Sequence, residues 1–138
     1  MILAVFDCNV VVSAIGWGGP PRACLELVRG RQVRLCVTSE VWAEYDLKVR
    51  AVLLREKPSI DPEPVLSWLL TEAYFVNPAP LGKQRSRDIK DDRYLACALG
   101  AGATLVVTSD RDLLDLGKPF GLAVLTPMQF LKLVRGQP

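Results

Sequence analysis

The sequence contains no histidine. That removes Ser-His-Asp and Cys-His catalysis, histidine-ligated zinc and any histidine general base. Chemistry must come from carboxylates, hydroxyls, lysine or arginine. Also missing is any apolar run close to the length of a membrane span. Met1–Phe6 is too short for a signal peptide, has no basic flank and runs straight into an acid. The expectation is a soluble, cytoplasmic protein with no membrane segment. The four cysteines, Cys8, Cys24, Cys36 and Cys97, form no Cys-x-x-Cys pair, and each sits inside a predicted apolar element. Reduced core thiols are expected, not a disulfide framework. The net charge of +2 is too small to imply nucleic-acid binding from the total alone. No internal repeat, low-complexity tract or interdomain linker is visible.

What is present is a chain of 138 residues, half of them hydrophobic, which suffices for one domain over residues 1–138 with a real core. Ile2–Phe6 is an unbroken apolar run, the pattern of a strand covered on both faces. A short helix over Asn9–Ile15 and a Gly/Pro loop over Gly16–Pro21 follow. Arg22–Gly30 reads as a helix stopped by glycine. Val33–Val37 is the second strand. Thr38 or Ser39 caps a helix whose buried side carries Val41, Tyr45, Val49 and Val52. Pro58–Pro64 breaks the chain before a helix over Val65–Ala73 and a brief strand over Tyr74–Val76. Asn77–Arg87 is an irregular basic loop. Beyond the central stretch described next, Asp112–Leu116 gives one helical turn. Ala123–Leu125 is a last strand, and Pro127–Val134 a closing helix with proline in its first turn. Strands alternating with helices argue an α/β fold with a mostly parallel sheet.

The chain is organised around Asp88–Asp112, which reads as helix, glycine turn and buried strand with acids at both ends. Asp91, Leu95, Ala98 and Gly102 share one side of a helix, flanked by Tyr94 and Leu99, with Arg93 and Gly100 opposite. A carboxylate inside an apolar stripe is costly unless it is paired or binds a metal. The helix dipole explains an acid at a helix start but not an acid pointing inward. Thr104–Thr108 is the buried strand, and Asp110 and Asp112 follow where it ends.

In an open α/β sheet, sites form outside the carboxyl ends of the strands. Asp7 ends the first strand and Asp110 follows the fourth. Glu44 lies in the second turn of the helix after Val33–Val37, and Asp91 begins the helix after Tyr74–Val76. Four acids from distant parts of the chain are thus expected on one rim. Like charges in one cleft raise one another's pKa, and a divalent cation reverses that effect. Oxygen-only ligands suit Mg²⁺ or Mn²⁺. Such an ion activates water and stabilises a phosphoryl transition state without histidine.

The residues Phe6-Asp7-Cys8-Asn9-Val10-Val11-Val12-Ser13, Val41-Trp42-Ala43-Glu44-Tyr45, Asp91-Asp92-Arg93-Tyr94-Leu95-Ala96-Cys97-Ala98 and Val107-Thr108-Ser109-Asp110 resemble, in order and spacing, the PIN-domain ribonucleases, and within them the VapC-like toxins. The resemblance spans nearly the whole chain. It implies a three-layer αβα sandwich with a five-strand parallel sheet, often dimeric. It implies Asp7, Glu44, Asp91 and Asp110 as catalytic, metal-site acids. Asp112 could replace or assist Asp110. Asn9 would support Asp7, and Thr108 or Ser109 would shape the site. The activity implied is Mg²⁺- or Mn²⁺-dependent cleavage of single-stranded RNA, leaving 5′-phosphate and 3′-hydroxyl ends. A homodimer bound by a small antitoxin is the implied assembly. Cys8 stands where threonine is frequent, which does little harm if its side chain points into the core.

Blander readings compete at several positions. Glu44 would be unexceptional as an exposed helix residue, and Glu40 is explained by the dipole. Asp92 falls off the stripe and reads as solvated or supporting. Asp88 reads as a cap. Lys83, Arg85, Arg87 and Lys90 form a basic cluster before Asp91. Such clusters are usually solvated loops, but beside a phosphodiester site one can grip RNA backbone. Trp17, Trp42 and Trp68 read as core or dimer contacts. Val65, Leu66, Trp68 and Leu69 could serve a dimer or the chain's own core. Two other function classes stay open. One is a non-catalytic binding module of the same fold. The other is a phosphatase of the haloacid dehalogenase type, which needs a second Asp two residues after Asp7, where Asn9 stands.

Overall fold

The computed structural model describes residues 1–136, so residues 137 and 138 of the expected domain lie outside the described residues. Five strands form one sheet: β1 (Ile2–Phe6), β2 (Val33–Val37), β3 (Tyr74–Phe75), β4 (Leu105–Val107) and β5 (Ala123–Leu125). Their order is β3-β2-β1-β4-β5, and every pairing is parallel. Helices α1 (Cys8–Gly16), α2 (Gly19–Arg29), α3 (Ser39–Glu56), α4 (Glu63–Glu72), α5 (Asp92–Ala101), α6 (Arg111–Leu114) and α7 (Pro127–Val134) flank it in an αβα arrangement. Ala4, Val5 and Phe6 of the central strand are fully buried, as Leu35, Cys36, Val37, Val106 and Val107 beside them are. Burial on both faces is why these strands read as unbroken apolar runs.

Some boundaries differ from the sequence reading, for local reasons. Helix α2 begins at Gly19, inside the expected Gly/Pro loop. Pro20 and Pro21 fit there because the first turn needs no intrahelical N–H donors. Pro64 falls in the first turn of α4 for the same reason. Thr38 caps α3 by accepting the Val41 N–H at 3.1 Å. The fourth buried position of α3 is Leu53, while Val52 is only half-buried. Spacings of four carry the stripe from Val41 through Tyr45 and Val49 to Leu53. Leu66 and Leu69 of α4 are buried in the protein's own core, with Val65 and Trp68 packed against it. All four cysteines are free and buried.

Two glycines shape the C-terminal end of α5. Gly102 closes it in the left-handed conformation. Gly100 lets the chain after β3 pass close by, since a Cβ there would stand 1.9 Å from the Asn77 carbonyl oxygen. The loop that follows is thereby laid along α5 toward the carboxyl edge of the sheet. Among the described residues, no helix is long and apolar enough to cross a membrane.

Candidate active site

The strand order reverses direction between β1 and β4: the chain moves outward one way from β1 through β2 to β3, then returns to the other side of β1. Connections leave such a crevice open at the carboxyl ends of the two strands. Asp7 follows β1 there and caps α1, with its Oδ1 accepting the Asn9 N–H at 2.9 Å. Its Oδ2 accepts the Thr108 hydroxyl at 2.6 Å. Thr108 Oγ1 in turn accepts the Asp110 N–H at 2.9 Å, and Asp110 Oδ1 accepts the Asp112 N–H at 2.9 Å. One chain of hydrogen bonds thus runs from the end of β1 across to the first turn of α6.

Asp91 meets this chain from the opposite element. It ends a single 3-10 turn over Ile89–Asp91, which Asp88 caps by accepting the Lys90 N–H at 3.0 Å. Carboxylate oxygens of Asp91, Asp110 and Asp112 lie within 4.8 Å of one another. Asp91 is buried, and its Oδ2 has no hydrogen-bond partner among the described residues. Burial first, then the Asp110 carboxyl against it, push the Asp91 pKa from 3.8 up to about 7, with the charges of Asp7 and Asp88 adding to the effect. Burial likewise raises Asp7, partly offset by the Thr108 hydroxyl and the Asn9 N–H, while the Asp110 and Glu44 charges raise it further. Three converging carboxylates, one with an orphaned buried oxygen, are the oxygen donor set that a hard divalent cation prefers. The residues therefore fit a divalent cation. Both Asp110 and Asp112 belong to the cluster.

Glu44 is on the same rim but outside the cluster. Its Oε2 accepts Arg93 Nη1 at 2.7 Å, and its Oε1 accepts the Tyr94 hydroxyl. The Tyr94 oxygen accepts the Cys8 N–H at 3.1 Å, which ties this network to the peptide after Asp7. Glu40 is exposed and 3.7 Å from Arg93 Nε. The supporting residues behave differently from one another. Thr108 bridges two acids. Asn9 acts through its backbone N–H, since its side chain is exposed. Ser109 is exposed and makes no hydrogen bond to the acids among the described residues. The Cys8 side chain does point inward, with Sγ 3.6 Å from the Glu44 carbonyl oxygen, and burial pushes its pKa up to about 12.

Two features were only partly legible in the sequence. Of the two readings of Asp92, solvated or supporting, the solvated one fails: the residue is buried and accepts the Arg85 and Ser86 N–H groups at 2.7 and 2.6 Å. It staples the basic loop to the head of α5. Arg93, placed opposite the apolar side by a helical wheel, is only 20% exposed because it reaches across to α3. Lys83, Arg85, Arg87 and Lys90 are all exposed, and Arg87 Nε lies 3.4 Å from Asp112. A groove lined by Arg85, Arg87, Asp112 and Asp115 runs beside the cluster.

A family model for the PIN domain matches residues 4–112, from β1 through the last acid of the cluster. The chain belongs to the PIN domain family. PIN domains are generally nucleases, typically metal-dependent ones, and this PIN domain carries the acidic cluster such chemistry needs. Its fold is similar to that in the crystal structure of PAE2754 from Pyrobaculum aerophilum. The TM-score is 0.65 at 17% identity, covering 99% of this chain and 91% of that one. No curated protein sequence matches the chain.

Proposed function

We propose that this PIN domain is a Mg²⁺- or Mn²⁺-dependent endoribonuclease that cleaves single-stranded RNA. The observation that carries this reading is the Asp91 carboxylate, which groups with those of Asp110 and Asp112 and has a buried, unpartnered Oδ2. A buried carboxyl oxygen without a donor costs free energy that a cation repays. Asp91, Asp110 and Asp112 would hold the ion, with Asp7 beside them. When bound, the ion supplies positive charge to a phosphodiester oxygen and acidifies a water molecule. The chain's own residues do the rest. Thr108 fixes the Asp7 carboxylate and the Asp110 backbone in one hydrogen-bonded unit. The loop cations Lys83, Arg85, Arg87 and Lys90 hold the phosphate backbone next to the cluster, a contact type that positions a strand without reading its bases.

The biological role that fits this activity is the toxin of a toxin–antitoxin pair, acting in the cytoplasm as a homodimer inhibited by a small antitoxin. Exposed Leu47 and Leu54 on α3 and Leu70 on α4 supply apolar surface for such contacts. The test is incubation of the purified protein with single-stranded RNA and Mn²⁺, with and without EDTA, beside Asp7→Asn protein. Cleavage to 5′-phosphate and 3′-hydroxyl ends, lost on chelation and in the variant, is expected. Unchanged cutting in EDTA would rule the metal out, and no cutting of any RNA by folded, Mn²⁺-loaded protein would rule out the nuclease.

A further inference from the structure

We infer that Arg93 stands in for a second cation beside Glu44, so that the acidic rim takes a single divalent ion, at Asp91, Asp110 and Asp112. This rests on the metal-dependent reading above and adds which acids share the ion and which do not.

Both carboxylate oxygens of Glu44 are already engaged, one by the Arg93 guanidinium and one by the Tyr94 hydroxyl. A charge-assisted bond of 2.7 Å is about twice as strong as a neutral one. Arginine keeps its charge at any accessible pH, so the pairing does not switch off. For Glu44 to ligate an ion, it would have to abandon a guanidinium that is four-fifths shielded from water, leaving that charge unpaired. The exposed Glu40 at 3.7 Å is a poor substitute partner.

The remaining acids are differently placed. Among the described residues, the ion pair that reaches Asp91, Asp110 or Asp112 is Arg87 with Asp112 at 3.4 Å, and the Arg87 side chain is 78% exposed. Negative charge on the rim is therefore paired by a shielded guanidinium on the Glu44 side, while on the Asp91 side three carboxylates share one exposed ion pair. A divalent ion gains most where the uncompensated charge is. Through the Tyr94 hydroxyl and the Cys8 N–H, the clamped Glu44 holds the peptide that follows Asp7, which makes it a positioning residue.

The test is Mn²⁺ binding to the metal-free protein, followed by calorimetry and by the electron paramagnetic resonance of unbound Mn²⁺, with no RNA present. The parent should bind one Mn²⁺ per chain. Arg93→Gln should bind a second, because Glu44 becomes available and the rim gains negative charge. The double variant Glu44→Gln/Arg93→Gln conserves net charge, and should return to one ion with an affinity within about threefold of the parent. A double variant that loses about tenfold or more in affinity would make Glu44 a ligand and overturn the inference. An Arg93→Gln protein that stays at one ion would overturn it too. Should Arg93→Gln alone fail to fold, as judged by circular dichroism, the double variant decides. A parent that binds no Mn²⁺ would instead refute the metal-dependent reading itself.

Discussion

The Thr108 hydroxyl donates to Asp7 Oδ2 at 2.6 Å, joining residues 101 positions apart at the ends of two neighbouring strands. The threonine Oγ1 in turn accepts the Asp110 N–H. Thr108→Val keeps the shape and removes both bonds. It leaves a buried carboxylate oxygen and a backbone donor unpaired, at a cost of about 1–3 kcal/mol. The urea midpoint should fall accordingly, and Thr108→Ser should recover most of the loss. An unchanged midpoint in the valine variant would show that the bridge does not hold the site together.

Stability of the metal-free protein should depend on pH through Asp91. Its folded-state pKa is raised from 3.8 to about 7, chiefly by burial and then by Asp110. The folded state therefore binds the proton more tightly than the unfolded chain. The stabilising contribution is full below pH 3.8 and is lost as pH rises through about 7. Asp7, also raised, acts in the same direction. Urea midpoints should fall between about pH 4 and pH 7 in the parent and change less in Asp91→Asn, which is uncharged throughout. Saturating Mn²⁺ should remove the decline, because the ion replaces the proton and neutralises the cluster.

Asp92→Asn should loosen the basic loop. Its amide nitrogen must face either the Arg85 or the Ser86 N–H, and two charge-assisted bonds are lost. The expected effect is on the grip on RNA: KM rises and the salt dependence of binding weakens, while Mn²⁺ affinity stays near that of the parent. Limited proteolysis should find new cuts between residues 77 and 90. Equal loss of Mn²⁺ affinity and RNA affinity would place Asp92 with the metal instead.

Much of this site was legible in the sequence, and the reason is local. An acid directly after an apolar strand, as at Asp7 and near Asp110, betrays itself by position alone. Asp91 betrayed itself as an acid where the periodicity calls for an apolar residue. Glu44 had the right edge but not the right partner: its pairing with Arg93 and Tyr94 spans 49 and 50 residues, and no periodicity encodes that. Asp92 was left between a solvated and a supporting residue because a helical wheel assigns faces relative to the sheet. What buries Asp92 is a loop from before the helix, folded back on it. The early start of α2 was hidden by two prolines that mark a break in most contexts and a first turn here.

On the proposed function, Asp91 helps bind an ion that the nuclease reaction requires. Single-turnover cleavage of a single-stranded RNA by Asp91→Asn protein, titrated with Mn²⁺ beside the parent, tests it most directly. Expected is a rate at least about 100-fold below the parent, the scale of losing one preorganised charge at a reacting centre, in a protein that melts no lower than the parent. Folded Asp91→Asn protein that cleaves at the parent's rate, with the parent's Mn²⁺ dependence, would contradict the claim.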